Sequence, residues 1–317
     1  MDKLKTSDMN MDIEYDIDMS VDFCGVHFKN PVTVASGTFG SGMEYGEFVD
    51  LNKLGAVTTK GVAITPWEGN PTPRIAETYG GMINAIGLQN PGMDTFIKRD
   101  LKFLSGYDTG VIVNVCGHSV TEYVEAVERL ADQKDVDLLE INVSCPNVKE
   151  GGIAFGVDPA ALENITKEIK KKAKQPVIMK LSPNVTDIAE MARAAVSGGA
   201  DALSLINTIT GMKIDIYRRT FAVKNKTGGM SGPAVKPVAV RMVYQVANAV
   251  DVPIIGMGGI SNAEDALEFI MAGATMVSVG TANFHDPYTT LHVIEGIKDF
   301  MVRENIKSLD EIRGCVK

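Results

Sequence analysis

The segment Asn142-Val143-Ser144-Cys145-Pro146-Asn147 sets a thiol between two amides at the end of an apolar, β-rich run, LLEINVSC at 138 to 145. Proline has no N–H to give a sheet ladder, so the strand must stop at Cys145 and leave the thiol at its C-terminal end. A free thiol titrates near pH 8.5 and becomes a useful general base when lysines lie close by. The plainer reading is a small, inert, buried apolar residue, which is what most free cysteines are. Position alone leaves both open. The other three cysteines, Cys24, Cys116 and Cys315, show no CxxC and none of the spacings that hold zinc or an iron–sulfur cluster. Each is expected as a free thiol, with Cys116 serving as packing.

Further polar residues stand where apolar ones are expected. Lys60 ends AVTTK, Asn114 ends VIVN, Asn142 ends LLEIN, Lys180 ends VIMK, and Asn207 with Thr208 ends a fifth apolar run. Burying an amide or an ammonium without a partner costs several kcal/mol, so these runs point to something polar above them. A mutual hydrogen-bond network is the alternative, although two lysines within it repel unless an anion or an electron-rich ring lies between them. Later in the chain come Gly256-Met257-Gly258-Gly259, Gly280-Thr281 and Gly228-Gly229-Met230-Ser231-Gly232-Pro233, each ahead of a helical pattern. Glycines admit a ligand close to the backbone, and N–H groups at helix starts suit a phosphate dianion. A phosphorylated, planar, hydrogen-bonding ligand satisfies both sets. Flavin mononucleotide (FMN) is such a ligand, and Lys180 is the candidate cation near its N1, where the reduced ring becomes anionic.

Eight short runs rich in Val, Ile and Leu carry these residues: 31 to 37, 56 to 61, 111 to 117, 138 to 145, 176 to 182, 202 to 208, 253 to 260 and 276 to 282. Strands buried on both faces read this way. Between them lie amphipathic patterns such as VTEYVEAVERLADQ, DPAALENITKEIKKKAK, VTDIAEMARAAVSGG and AEDALEFIMAGA, the last two closing on glycine. Eight βα units in roughly 250 residues predict a (β/α)8 TIM barrel, where an open doubly wound sheet has fewer strands. The polar residues then gather at the C-terminal mouth, the face that carries function in this fold. Two connections, 62 to 92 and 209 to 234, are too long for simple crossovers and are expected as loop insertions over that face. VDFCGVHFKN reads as an N-terminal hairpin under the opposite mouth. The lone Trp67 is assigned to packing rather than to flavin stacking. Residues 1–20 are expected as a flexible acidic tail, and 21–317 as a single FMN-binding barrel domain.

The bulk numbers narrow the class. With 317 residues, 45% hydrophobic and 22% charged, the chain has enough apolar surface for one large core. A net charge of −9 and a pI near 5.1 argue against nucleic acid, which draws its binding proteins mainly through clustered Lys and Arg. No apolar run approaches the roughly 20 residues of a spanning helix, so no membrane is expected. The first twenty residues show neither a signal-peptide core nor a transit helix, and the expected location is the cytoplasm.

NVSCPNVKEGG at 142 to 152, ASGTFG at 35 to 40, NAIGLQNPG at 84 to 92 and GMGGI at 256 to 260 resemble class 1 dihydroorotate dehydrogenases. VKEGGIAFG and GGMSGPAVKP resemble class 1B, the catalytic subunits that work with a separate electron-transfer subunit. The resemblance implies oxidation of dihydroorotate to orotate in pyrimidine biosynthesis, with Cys145 as base and hydride passed to FMN. It implies flavin contacts for Ser36, Lys60, Asn114, Asn142, Lys180, Ile206, Gly232, Gly258, Gly259, Gly280 and Thr281. For the substrate it implies Lys60, Asn84, Gly87, Leu88, Asn142, Asn147, Asn207 and Thr208. It implies no metal on this chain, and a partner subunit carrying FAD and a 2Fe-2S cluster that passes electrons to NAD, in a heterotetramer built on a homodimer. The chain has no cluster cysteines and no GxGxxG after its first strand, so another molecule must take the electrons. Alternatives are a fumarate-dependent class 1A enzyme, a dihydropyrimidine dehydrogenase module, a non-redox barrel lyase using Lys180, and a silent binding subunit.

Overall fold

The computed structural model of the chain describes residues 17–143 and 155–316; Cys145 and Asn147 lie outside them. Eight parallel strands form the central sheet: β1 (Val32–Val34), β2 (Ala56–Thr58), β3 (Gly110–Val115), β4 (Leu138–Asn142), β5 (Val177–Lys180), β6 (Ala202–Leu205), β7 (Ile254–Met257) and β8 (Met276–Val279). They pair in sequence order, and β8 returns to β1. The seam between β1 and β2 is closed by Gly55 N–H donating to Val32 O at 3.1 Å and by the Thr33 and Thr58 hydroxyls 3.0 Å apart. The sheet is the expected (β/α)8 barrel.

Helices α1 (Val120–Leu130), α2 (Pro159–Lys170), α3 (Ile188–Ser197), α4 (Lys236–Ala247), α5 (Ala263–Met271) and α6 (Thr289–Glu304) wrap the outside. Their starts are written in the sequence. Ser119, Asp158, Asp187 and Asn262 each accept from a first-turn N–H, supplying a partner that the helix cannot. Their ends fall short of the amphipathic patterns: α2 stops at Lys170, and α5 yields to Gly273 with a left-handed φ of +115°. Buried Val, Ile and Leu from strands and helices form one continuous core.

Side chains alternate across each strand. The register sets Asn114 beside Glu140, Asn142 beside Lys180, and Lys180 beside Ser204, so all five face the barrel interior, Glu140 one layer below Asn142. The long connections contribute an antiparallel sheet of four strands, in the order Ile209–Met212, Thr227–Ser231, Gly81–Asn84, Ile75–Thr78. It stands on the C-terminal ends of the barrel strands. The hairpin Val21–Phe23 with Val26–Phe28 lies at the other end, with Phe28 against Gly110 and Cys24 donating to Asp201 O at 3.4 Å. Residues 17 to 20, counted with the tail on sequence grounds, are held: Asp18 N–H donates to Lys307 O at 2.8 Å. Among the described residues no helix is long and apolar enough to cross a membrane.

Candidate active site

Glu140 lies at the centre of the polar ring. Its side chain is 1% exposed, and three groups from three other strands converge on it. Asn114 Nδ2 donates to Oε2 at 2.5 Å, Ser204 Oγ donates to Oε1 at 2.8 Å, and the Lys180 ammonium lies 3.3 Å from Oε2. Lys180 also reaches Ser36 Oγ at 3.3 Å, so the β5 lysine spans the barrel toward the loop after β1. A carboxylate only accepts, so it takes the NH2 side of Asn114 and leaves Oδ1 buried without a partner among the described residues. Asn114, Asn142 and Lys180 stand out in the sequence as polar ends of apolar runs, and Glu140 does not. The signal was present as a charged residue in the middle of LLEIN.

Lys60 is placed differently. It lies two residues past the end of β2, half-buried, with its Nζ close over Gly37. Among the described residues it forms no ion pair. Burial pushes its pKa below the ordinary lysine value; Cys116 works in the other direction, and Lys180 depresses it further. An unpaired ammonium at a barrel mouth is a ready seat for an anion. Lys60 lines a cavity of about 430 Å³ together with Gly40, Ser41, Val62, Phe96 and Arg99 and with the carboxylates Glu44, Glu47 and Asp100. A larger one, about 900 Å³, lies under the arm at residues 213 to 226, and none of the polar ring lines it. Of the polar strand-end residues, Lys60 alone lines the smaller one.

The remaining substrate candidates meet at the same mouth. Asn207 Nδ2 donates to Asn142 Oδ1 at 3.3 Å, and the Asn142 backbone carbonyl accepts from the buried Tyr123 hydroxyl at 2.6 Å. Thr208 N–H donates to Asn207 Oδ1 at 2.8 Å, and Asn84 Nδ2 donates to Gly229 O at 3.3 Å within the four-stranded sheet. Gly87 and Leu88 both take left-handed φ, and Asn90 holds the turn by donating to Leu88 O at 2.9 Å. Asn147 and Cys145 fall outside the described residues. Trp67 stacks on His118 with ring centroids 3.8 Å apart, and Cys116 is fully buried.

The glycine segments also converge. Thr281 Oγ1 donates to Ser231 Oγ at 2.7 Å, tying the stretch from 228 to 233 to the end of β8. A Cβ on Gly259 would lie 2.8 Å from Gly232 O, and one on Gly232 would lie 2.6 Å from Gly81 Cα; both have left-handed φ. The chain's own backbone thus requires glycine at both positions, whatever binds there. Ile206, 4% exposed, lies against Gly258, and Gly280 precedes the short helical turn Thr281–Phe284. FMN fits the chemistry of these groups: among the described residues an ammonium without an ion pair and a buried amide oxygen without a partner are left to meet a polar ligand.

The family model described as dihydroorotate dehydrogenase matches residues 18–301. The catalytic subunit of dihydroorotate dehydrogenase B (NAD(+)) from Lachnoclostridium phytofermentans is 73% identical over 298 residues, covering 94% of this chain and 99% of that one. The protein of the same name from Thermoanaerobacter pseudethanolicus is 55% identical, covering 95% of this chain and 99% of its own. Among solved structures, the dihydroorotate dehydrogenase of Eimeria tenella in complex with ferulenol superposes with a TM-score of 0.79. It covers 96% of this chain and 90% of that one at 24% identity, which speaks for the fold alone. With a barrel of the same fold and relatives matched nearly end to end, the chain belongs to the dihydroorotate dehydrogenase family of FMN-dependent oxidoreductases, and within it to class 1B.

Proposed function

We propose that this chain is the catalytic subunit that oxidises dihydroorotate to orotate in pyrimidine biosynthesis. The observation that carries the reading is Lys60, an ammonium past the C-terminal end of β2 without an ion pair among the described residues, at the same end of the barrel as the hydrogen-bonded amides that follow β4 and β6. Dihydroorotate brings a carboxylate for such a lysine and ring carbonyls for such amides. Lys60, Asn84, Asn142, Asn147, Asn207 and Thr208, with the backbone of Gly87 and Leu88, hold it. Each charge-assisted hydrogen bond to the carboxylate is about twice as strong as a neutral one.

Cys145 removes the proton from C5, which the neighbouring carbonyl makes acidic. Lysines at the mouth favour its thiolate, and substrate bound across the mouth keeps water from the reacting face. FMN, held by Ser36, Lys60, Asn114, Asn142, Lys180, Ile206, Gly232, Gly258, Gly259, Gly280 and Thr281, supplies the hydride acceptor for C6. Lys180 keeps a positive charge where negative charge develops. The electrons leave through a partner subunit bearing FAD and a 2Fe-2S cluster and reach NAD, in a heterotetramer built on a homodimer. The names of the close relatives, with NAD(+) and "catalytic subunit" in them, support this route.

Anaerobic mixing of the purified protein with dihydroorotate tests cofactor, substrate and reaction together. The expected result is a yellow protein whose flavin band bleaches at a rate that saturates with dihydroorotate. A colourless protein that binds no FMN, or a yellow one that dihydroorotate leaves unbleached, would falsify the reading.

A further inference from the structure

Lys180 stands under the flavin in this reading, yet it does not stand alone. Its ammonium rests on the fully buried Glu140, whose two oxygens also take Asn114 and Ser204. That carboxylate is costly to bury, and an apolar residue on β4 would fill the same space more cheaply. We propose that Glu140 is a positioning residue for the cofactor: it aims Lys180 and Asn114 from below and offsets part of the lysine's charge, so that reduced flavin is held less tightly than Lys180 alone would hold it. The inference rests on the FMN reading above.

Three observations bear on it. The carboxylate is one layer deeper than Lys180 and Asn142, so it touches the groups that line the mouth without lining the mouth itself. Its hydrogen-bond and ion-pair partners among the described residues are inward-facing side chains of barrel strands, so the sheet fixes its geometry before any ligand arrives. It also decides the amide orientation of Asn114 and thereby which atom of that side chain is left for a ligand. The chemistry gives such a residue a purpose. A cation beside the ring raises the affinity for the reduced, anionic cofactor and with it the reduction potential. Electrons that must travel on to NAD, a weak oxidant, need a flavin that does not hold them too firmly. A counter-charge at a fixed distance beneath the lysine supplies that moderation.

The test is a double-mutant cycle in the flavin-loaded protein, with Glu140→Gln, Lys180→Met and the double variant. It is read by the flavin midpoint potential and by the stability of the cofactor-free forms. Glu140→Gln should favour reduced over oxidised flavin about tenfold, a rise of about 30 mV for a two-electron couple. In the Lys180→Met background the same substitution should shift the ratio less than threefold, because the lysine through which Glu140 acts is gone. No shift in either background, or an equal shift in both, overturns the proposal. Should Glu140→Gln fail to hold flavin, Glu140→Asp is read instead. It keeps the charge, reaches less far, and should move the ratio at least threefold in the same direction; an unmoved potential there also overturns the proposal. The stability cycle separates the two layers of inference. If the wild-type protein binds no FMN, the functional reading fails, while the cofactor-free cycle still reports whether Glu140 and Lys180 are coupled.

Discussion

Lys180 and Lys60 both face the barrel mouth, and the chain treats them differently. Lys180 is 5% exposed at its side chain and meets a carboxylate that the fold carries for it, with Ser36 as a second neighbour. Lys60 stands past the end of its strand, has no ion pair among the described residues, and has its pKa lowered by burial. A buried charge with an internal counter-charge is part of the scaffold. One without such a partner is part of a binding site, since only a ligand can complete it. On this view the described part of the mouth has a closed side, built on β3 to β6 around Glu140, and an open side at Lys60.

The largest expected effect tests whether Cys145 carries the chemistry. Cys145→Ala should keep its yellow FMN and lose flavin reduction by dihydroorotate by about 10²–10⁴-fold, the usual contribution of a positioned base. Stopped-flow bleaching under anaerobic conditions measures it, and near-normal bleaching would remove Cys145 from the mechanism. Next in size is the closed side. Lys180→Met leaves Glu140 buried and unpaired, at a cost of about 3–5 kcal/mol in the cofactor-free protein. Denaturant melts should show that loss, with weaker flavin retention. A change below about 1 kcal/mol would mean that the pair is not the closed unit described.

Much of the barrel is legible in the sequence because strands buried on both faces read as nearly unbroken Val, Ile and Leu. All eight runs are found as strands in pairing order. The four-stranded sheet over the mouth is not legible. Thr227–Ser231 reads TGGMS, a turn by composition, and becomes a strand because its glycines let Asn84 and Thr208 come close; a Cβ on Gly229 would lie 1.9 Å from Thr208 Oγ1. Tertiary pairing outweighs propensity there. Glu140 escapes for a related reason. Polar residues at strand ends stand out, whereas the partnership of Glu140 with Lys180, 40 positions away, comes from sheet register, which only the fold supplies.

Lys60 gives the smaller but cleaner contrast. Lys60→Met should raise the KM for dihydroorotate about 10–100-fold, matching about 1.5–3 kcal/mol for a hydrogen bond to a charged group. Stability should stay equal or rise, because an unpaired buried charge is removed and none is stranded. A marked fall in stability would show that Lys60 has a structural partner after all. Its pH signature has a definite sign. The folded pKa lies below the ordinary 10.5, so the unfolded chain binds more protons between the two values, and stability of the unliganded protein rises with pH across that window. Orotate binding needs the ammonium form and should weaken as pH climbs through the lowered value. Lys60→Met should flatten both slopes, and calorimetric titration at a series of alkaline pH values measures the binding slope.

The smallest effect concerns the glycine arc, where backbone crowding alone already demands Gly232 and Gly259. The hydroxyl pair of Thr281 and Ser231 offers a way to tell fastening from ligand binding at this edge. Losing that one hydrogen bond costs about 0.5–1.5 kcal/mol whichever partner is changed, so Thr281→Val and Ser231→Ala should lower Tm alike, by about 1–4 °C. If Thr281 also faces the cofactor phosphate, its variant alone should weaken FMN about two- to tenfold, because the second acceptor or donor goes with the hydroxyl. Equal FMN dissociation constants in the two variants, measured by fluorescence recovery of released flavin, would assign Thr281 to fastening the stretch from 228 to 233 and take it out of the phosphate site.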